Sequence, residues 1–232
     1  MEQRKLIEET SNLFRNAKVG DCSIDVFEVT REEAHYERMM SVLSHTSGEF
    51  YDFREGKYVR LIVGNELMMS NTPMEIRTNR WLLDNARGDV LIGGLGLGIV
   101  LYAIAHKPEV TSITVVEKST NVIRLVTPFI KKDKYVKAKT TVVCGDVFDA
   151  TTVRDRKFDV LYFDIWATID ANNYPQMKTL TKAYRKNRNK GAMLNHWRKT
   201  DCLRMHREDI QDQKRRDFFM RGNLFNINGI EV

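Results

Sequence analysis

Residues 89–197 predict an α/β protein with a mostly parallel sheet, and three observations predict it. Short apolar runs rich in Val, Ile and Leu occur five times, and helical stretches separate most of them. The first run ends in the series Gly94-Leu95-Gly96-Leu97-Gly98. Near-continuous apolar strands fit a sheet covered on both faces, because a strand buried on both sides has no solvent face to keep polar. The expected class is a Rossmann-like doubly wound sheet with a small N-terminal α+β hairpin extension. The extension is placed at 1–70 and the sheet-bearing domain at 71–232.

The elements follow in order. Residues 1–16 have an amphipathic helical pattern with Leu6, Ile7, Leu13 and Phe14 on the apolar side. "CSIDVFEVT" (22–30) alternates and reads as a strand, while 31–44 is helical in composition. "KYVRLIVGNELMMS" (57–70) places Gly64-Asn65 between two apolar runs, a hairpin signal. The sheet strands are expected at 89–94, 112–118, 139–146, 157–166 and 191–197. Ser119 or Thr120 is positioned to cap the helix after the second of them, and a helix is expected between 173 and 190.

Composition narrows the classes. The 42% hydrophobic content over 232 residues is enough for one α/β core. No run reaches the roughly 20 apolar residues of a membrane helix, and the start lacks a signal-peptide core. Cys22, Cys144 and Cys202 lie far apart without a CxxC, so neither a disulfide framework nor a zinc site is expected, and a cytoplasmic location is. The net charge of +6 is uneven: 178–221 holds 14 Lys/Arg against 5 Asp/Glu, which leaves the rest of the chain acidic. Such a stretch is either a solvated helical face or a surface for nucleic acid.

In a doubly wound sheet, ligands sit at the carboxyl ends of the strands where strand order reverses. There the sequence offers the glycine series, then Glu117, then Asp146 with Val147, then Asp164 with Trp166 nearby. Glycines let a ligand approach the backbone. A carboxylate after the second strand can accept from ribose hydroxyls, and one after the third from an adenine amino group. Helix N-terminal capping is the competing role for Glu117 and Asp146. A dinucleotide is disfavoured because G-x-G-x-x-G needs its third glycine one residue later, and no phosphate-binding G-x-x-x-x-G-K-[ST] is present. An adenosine without phosphates remains, which points to S-adenosylmethionine. His196 and His206 have no partner at metal-ligand spacing and are read as structural or surface residues.

"VLIGGLGLG", "VVEKS", "CGDVFD" and "FDVLYFDIW" in this order resemble the class I S-adenosylmethionine-dependent methyltransferases, over about residues 66–197. More narrowly they are similar to the spermidine-synthase-like branch. "MMSNTPMEIRTNRWLL" resembles the stretch that closes over the cofactor in guanidino-group methyltransferases. The resemblance implies that Gly94, Gly96 and Gly98 approach the methionine part, Glu117 takes the ribose and Asp146 the adenine, with Val147 beside the ring. Asp164 would lie beside the reacting group as the catalytic carboxylate. Ile92 stands where the family commonly has an acid, and Leu97 stands where polyamine synthases have Asp, which weighs against aminopropyl transfer. The acceptor is left open between a small molecule and nucleic acid. A homo-oligomer is compatible with the N-terminal helix.

Overall fold

A computed structural model describes residues 2–43 and 54–227. The chain opens with α1 (Gln3–Leu13), β1 (Ala17–Val19), β2 (Cys22–Val29), α2 (Arg31–Leu43), β3 (Gly56–Val63) and β4 (Glu66–Ser70). The four strands form one antiparallel sheet in the order β1-β2-β3-β4, closed by the expected turn at Gly64-Asn65. The helix expected over 31–44 ends at Leu43, and Ser44 lies outside the described residues. The short β1 pairs only with β2 and is too brief to carry a periodic signal.

A connecting segment then folds as α3 (Pro73–Thr78) and α4 (Arg80–Asn85). Pro73 takes the first helical position, where its missing N–H is not needed. Asn71 fixes this segment to what precedes it. It is fully buried, its Oδ1 accepts from Val59 N at 2.8 Å, and its Nδ2 donates to Ser11 Oγ at 2.7 Å.

The second sheet is built from β5 (Gly88–Gly93), α5 (Ile99–Ala105), β6 (Val110–Glu117), α6 (Thr120–Ile130), α7 (Lys134–Lys139), β7 (Thr140–Cys144), β8 (Phe158–Phe163), α8 (Asn173–Ala183), β9 (Arg188–His196) and α9 (Lys199–Ile227). Its order is β7-β6-β5-β8-β9, and every pairing in it is parallel. This is the doubly wound Rossmann-like arrangement that the alternation of strands and helices predicts. The chain winds outward from β5 in one direction, then crosses back to β8, so strand order reverses between β5 and β8. Ser119 caps α6 by accepting from Val122 N at 3.2 Å.

One hydrophobic cluster joins the two sheets: Leu6 of α1 and Ile24 and Leu61 of the first sheet share it with Leu82, Leu101, Ile113 and Ile130 around the second. Phe14 and Phe129, from opposite sides of that junction, bring their ring centroids to 5.3 Å. A smaller cluster on the other face of the parallel sheet holds Leu91, Leu161, Phe163 and Tyr184. The basic stretch is divided among α8, β9 and α9, and Phe218, Phe219 and Met220 are exposed on α9. No helix among the described residues is long and apolar enough to cross a membrane.

Candidate active site

The reversal between β5 and β8 brings the strand ends together. Asp164 N donates to Gly93 O at 2.9 Å, and Gly94 N donates to Val116 O at 2.9 Å. The glycine loop is thereby tied to strands on both sides. A Cβ at Gly94, where φ is +93°, would stand 2.2 Å from the backbone oxygen of Asp164, which cannot yield without shifting β8. At Gly96 a Cβ would meet Met69 Sδ at 2.4 Å, so the hairpin lies directly on the loop. Met69 Sδ also accepts from Leu97 N at 3.3 Å.

A cavity of about 420 Å³ opens at these strand ends. Five of the residues expected to hold a cofactor line it (Gly94, Gly96, Glu117, Asp146 and Val147), as does Asp164. Gly98 does not. It sits at the N-terminus of α5 with φ +70°, and its missing Cβ makes room for Ile130. Its placement is that of a packing glycine.

Glu117 spans the loop and the next helix. Its Oε2 accepts from Leu95 N at 2.8 Å and its Oε1 from Ser119 N at 2.7 Å. Each carboxylate oxygen keeps acceptor capacity after one such bond. Asp146 accepts from Phe148 N at 2.9 Å and from Lys118 Nζ at 3.0 Å, and these contacts hold its carboxyl below the usual range. Neither is the N-cap of a helix, since Ser119 caps α6 and Asp149 caps the short 3-10 turn Ala150–Val153, and both face the cavity. Val147 is buried beneath Gly93, its Cγ2 2.9 Å from where a Cβ on that glycine would stand.

Asp164 is the most perturbed carboxylate of the set. Burial, then the negative charge of Glu75, push its pKa up to about 8, while a hydrogen bond from the Asn79 side chain opposes the shift. Glu75, on α3, is itself raised to about 7 by burial. Among the described residues neither carboxyl has an ion-pair partner. Tyr162, next to this pair on β8, is fully buried and stacks on Trp81 at 6.0 Å, with its phenol held well above its ordinary pKa by burial. Tyr162 thus packs on Trp81 and also lines the first cavity. Trp166 is half-buried, and its Nε1 donates to Gln176 Oε1 at 2.9 Å.

A second cavity of about 370 Å³ adjoins the first, sharing Met68, Met69, Asp164, Trp166 and Ala167 with it. Glu75, Met74, Trp197 and Arg198 line only the second. Trp197 Nε1 donates to Thr78 Oγ1 at 3.1 Å, joining β9 to α3 across this space. Arg198 has φ +50°, a left-handed backbone rare for a residue with a Cβ, and its Nε lies 2.9 Å from Asp201 Oδ2. His196 is buried against Phe163, and burial lowers its pKa to about 3, so the ring is neutral.

Glu75, Asn79 and Met69 are the site residues that sequence reasoning missed. Thr72-Pro73-Met74-Glu75 has the spacing of a capping box, which explains an acid at that position without any site. In the structure Thr72 makes no side-chain cap, and Glu75 accepts from the backbone of Ser70. The signal that pointed this way was the segment's resemblance to one that closes over a cofactor.

No protein-family model and no curated protein sequence matches the chain. Solved structures do. A spermidine synthase in complex with the transition-state analogue AdoDATO aligns with 78% of this chain and 56% of its own, at 15% identity and a TM-score of 0.49. Spermidine synthase from Thermotoga maritima aligns with 76% of this chain and 52% of its own, at 16% identity and a TM-score of 0.45. The glycopeptide N-methyltransferase MtfA complexed with S-adenosyl-L-methionine aligns over 51% of this chain and 52% of its own, at 16% identity and a TM-score of 0.40. The chain spans about half the length of these structures.

Proposed function

We propose that this protein is an S-adenosylmethionine-dependent methyltransferase whose acceptor meets the donor beside Asp164. The observation that carries the reading is the convergence of Gly94, Gly96, Glu117, Asp146, Val147 and Asp164 on one cavity at the reversal of strand order.

The residues present suit an adenosine bearing a cationic sulfur better than a nucleotide. A phosphate at the loop would seek the amides of Leu95 and Leu97, but Leu95 N is already bonded to a carboxylate and Leu97 N to a thioether. The charge of Glu117 repels an anion there and suits the two hydroxyls of a ribose. Gly94 and Gly96 line the cavity, with the room of their missing Cβ atoms taken by Asp164 O and Met69 Sδ, and Val147 offers an apolar wall for the adenine. Bound in this cavity, S-adenosylmethionine supplies an electrophilic methyl group on a sulfonium.

The chain's own contribution is alignment, exclusion of water and a place for a proton. The reading needs no strong acid, since methyl transfer depends chiefly on holding the nucleophile in line with the methyl carbon. Asp164 lines both cavities, so it stands where donor and acceptor would meet. With its pKa near 8 it can hold or release a proton close to neutral pH. Leu97, wholly buried, provides no carboxylate for an aminopropyl amine at the loop, which favours methyl transfer over aminopropyl transfer.

Equilibrium dialysis of the purified protein with radiolabelled S-adenosylmethionine tests the reading, with labelled NAD as the control. Retention of S-adenosylmethionine alone supports it. Retention of NAD, or of neither compound by folded protein, refutes it.

A further inference from the structure

The two carboxylates that meet between α3 and β8 lie at the junction of the two cavities, and their surroundings define what they would face. The amide nitrogen of Asn79 donates to Glu75 O at 3.0 Å and bonds the Asp164 side chain, which fixes the amide orientation. Asn79 Oδ1 is then left buried without a partner, in a residue that lines the first cavity and is 0% exposed. Glu75 accepts from the backbone of Ser70 and Asp164 from Asn79, so the Asn79 oxygen alone of these acceptors is buried without a partner, which is costly. An N–H-rich cation at this junction offers that oxygen a donor and the two carboxyls, which have no ion-pair partner among the described residues, a countercharge.

The rest of the second cavity is of another kind. Met68, Met69 and Met74 with Ala167, Ile169, Trp166 and Trp197 make most of its wall, and among the described residues its one basic lining residue is Arg198. A second ammonium on the same ligand would lie against apolar surface or against the Arg198 guanidinium, and both are unfavourable.

We infer that the acceptor is a small primary monoamine with an apolar or aromatic body, its ammonium held by Glu75 and Asp164 and its body among the methionines and tryptophans. The inference rests on the methyl-donor reading above and supplies its substrate class. A cation over an indole face adds attraction that a neutral ligand lacks. In the reaction, the ammonium gives one proton to the carboxylate pair. The freed lone pair forms the C–N bond as the C–S bond breaks, and the sulfur keeps that bond's electron pair. The product leaves as the N-methylammonium ion, and the carboxylate returns its proton to water.

The test is calorimetry on the full chain saturated with S-adenosylhomocysteine, titrated with phenethylamine, putrescine and 2-phenylethanol. Phenethylamine is expected to bind at least about 10-fold more tightly than the other two, the ratio of one charge-assisted contact set. Glu75→Gln should reduce that affinity by about 10-fold while S-adenosylhomocysteine affinity stays unchanged. If that variant does not fold, Met74→Lys serves instead, because an ammonium built into the cavity should abolish amine binding. Equal affinity for the three ligands, or preference for putrescine, overturns the inference and leaves the donor reading intact. Failure of S-adenosylhomocysteine itself to bind overturns both.

Discussion

Leu95 N and Ser119 N donate to the two oxygens of Glu117, at 2.8 and 2.7 Å, so one carboxylate ties the glycine loop to the start of α6. Glu117→Gln puts an amide NH₂ where one of these N–H groups needs an acceptor. The expected result is a drop in melting temperature of several degrees, taking about 1–3 kcal/mol for an unmet buried donor and about 2–4 °C per kcal/mol in a chain of this size. S-adenosylhomocysteine affinity should fall by about 10-fold or more in the same variant. A fall in only one of the two quantities separates the clasp from ribose binding.

The glycines of the loop are not equivalent. Gly94→Ala drives a Cβ into the backbone of Asp164, whereas Gly96→Ala meets the far end of a flexible methionine. Thermal unfolding should rank Gly94→Ala well below Gly96→Ala, and adding Met69→Ala should restore part of the loss in the second. A Gly96→Ala loss that Met69→Ala does not relieve would show that backbone conformation, not the methionine contact, is limiting.

Gly98→Ala tests the packing role of the third glycine. A left-handed residue with a Cβ costs roughly 1–2 kcal/mol, and the new methyl lies 3.1 Å from Ile130. Stability should fall while cofactor affinity in the folded protein is unchanged. Loss of affinity at constant stability would return Gly98 to the binding set.

The carboxyl pair makes a prediction about pH. Asp164 is raised to about 8 and Glu75 to about 7 when folded, so between about pH 4 and 8 the folded chain holds protons that the unfolded chain has released. Stability therefore falls as pH rises through that window. Asp164→Asn removes part of the slope, and its melting temperature relative to the parent should rise from pH 5 to pH 8.5. A difference that stays flat with pH would show that Asp164 is not held protonated by burial.

The parallel sheet was legible because its five apolar runs and intervening helices each carry a local signal, and the hairpin because Gly64-Asn65 marks its turn. The cavity lining was legible for the same reason: strand ends in this topology converge whatever the sequence between them. Glu75 and Asn79 were hidden because they lie on α3 and at its end, where nothing periodic says which cavity they reach. The clamp of Asn71 on α1 and β3, together with the Trp197–Thr78 bond, holds that segment over the end of β8. Gly98 lies outside the cavity lining, and a positive φ needed for packing and one needed for a ligand look alike in sequence.

The central claim is that the cavity at the ends of β5, β6, β7 and β8 holds the donor with its sulfur beside Asp164. Crystals grown with S-adenosylhomocysteine test it most directly. The expected result is ligand density with the ribose hydroxyls on Glu117, the adenine beside Val147 and the sulfur at the junction with the Glu75-lined cavity. Density for the ligand elsewhere, or a ribose turned away from Glu117, would contradict it.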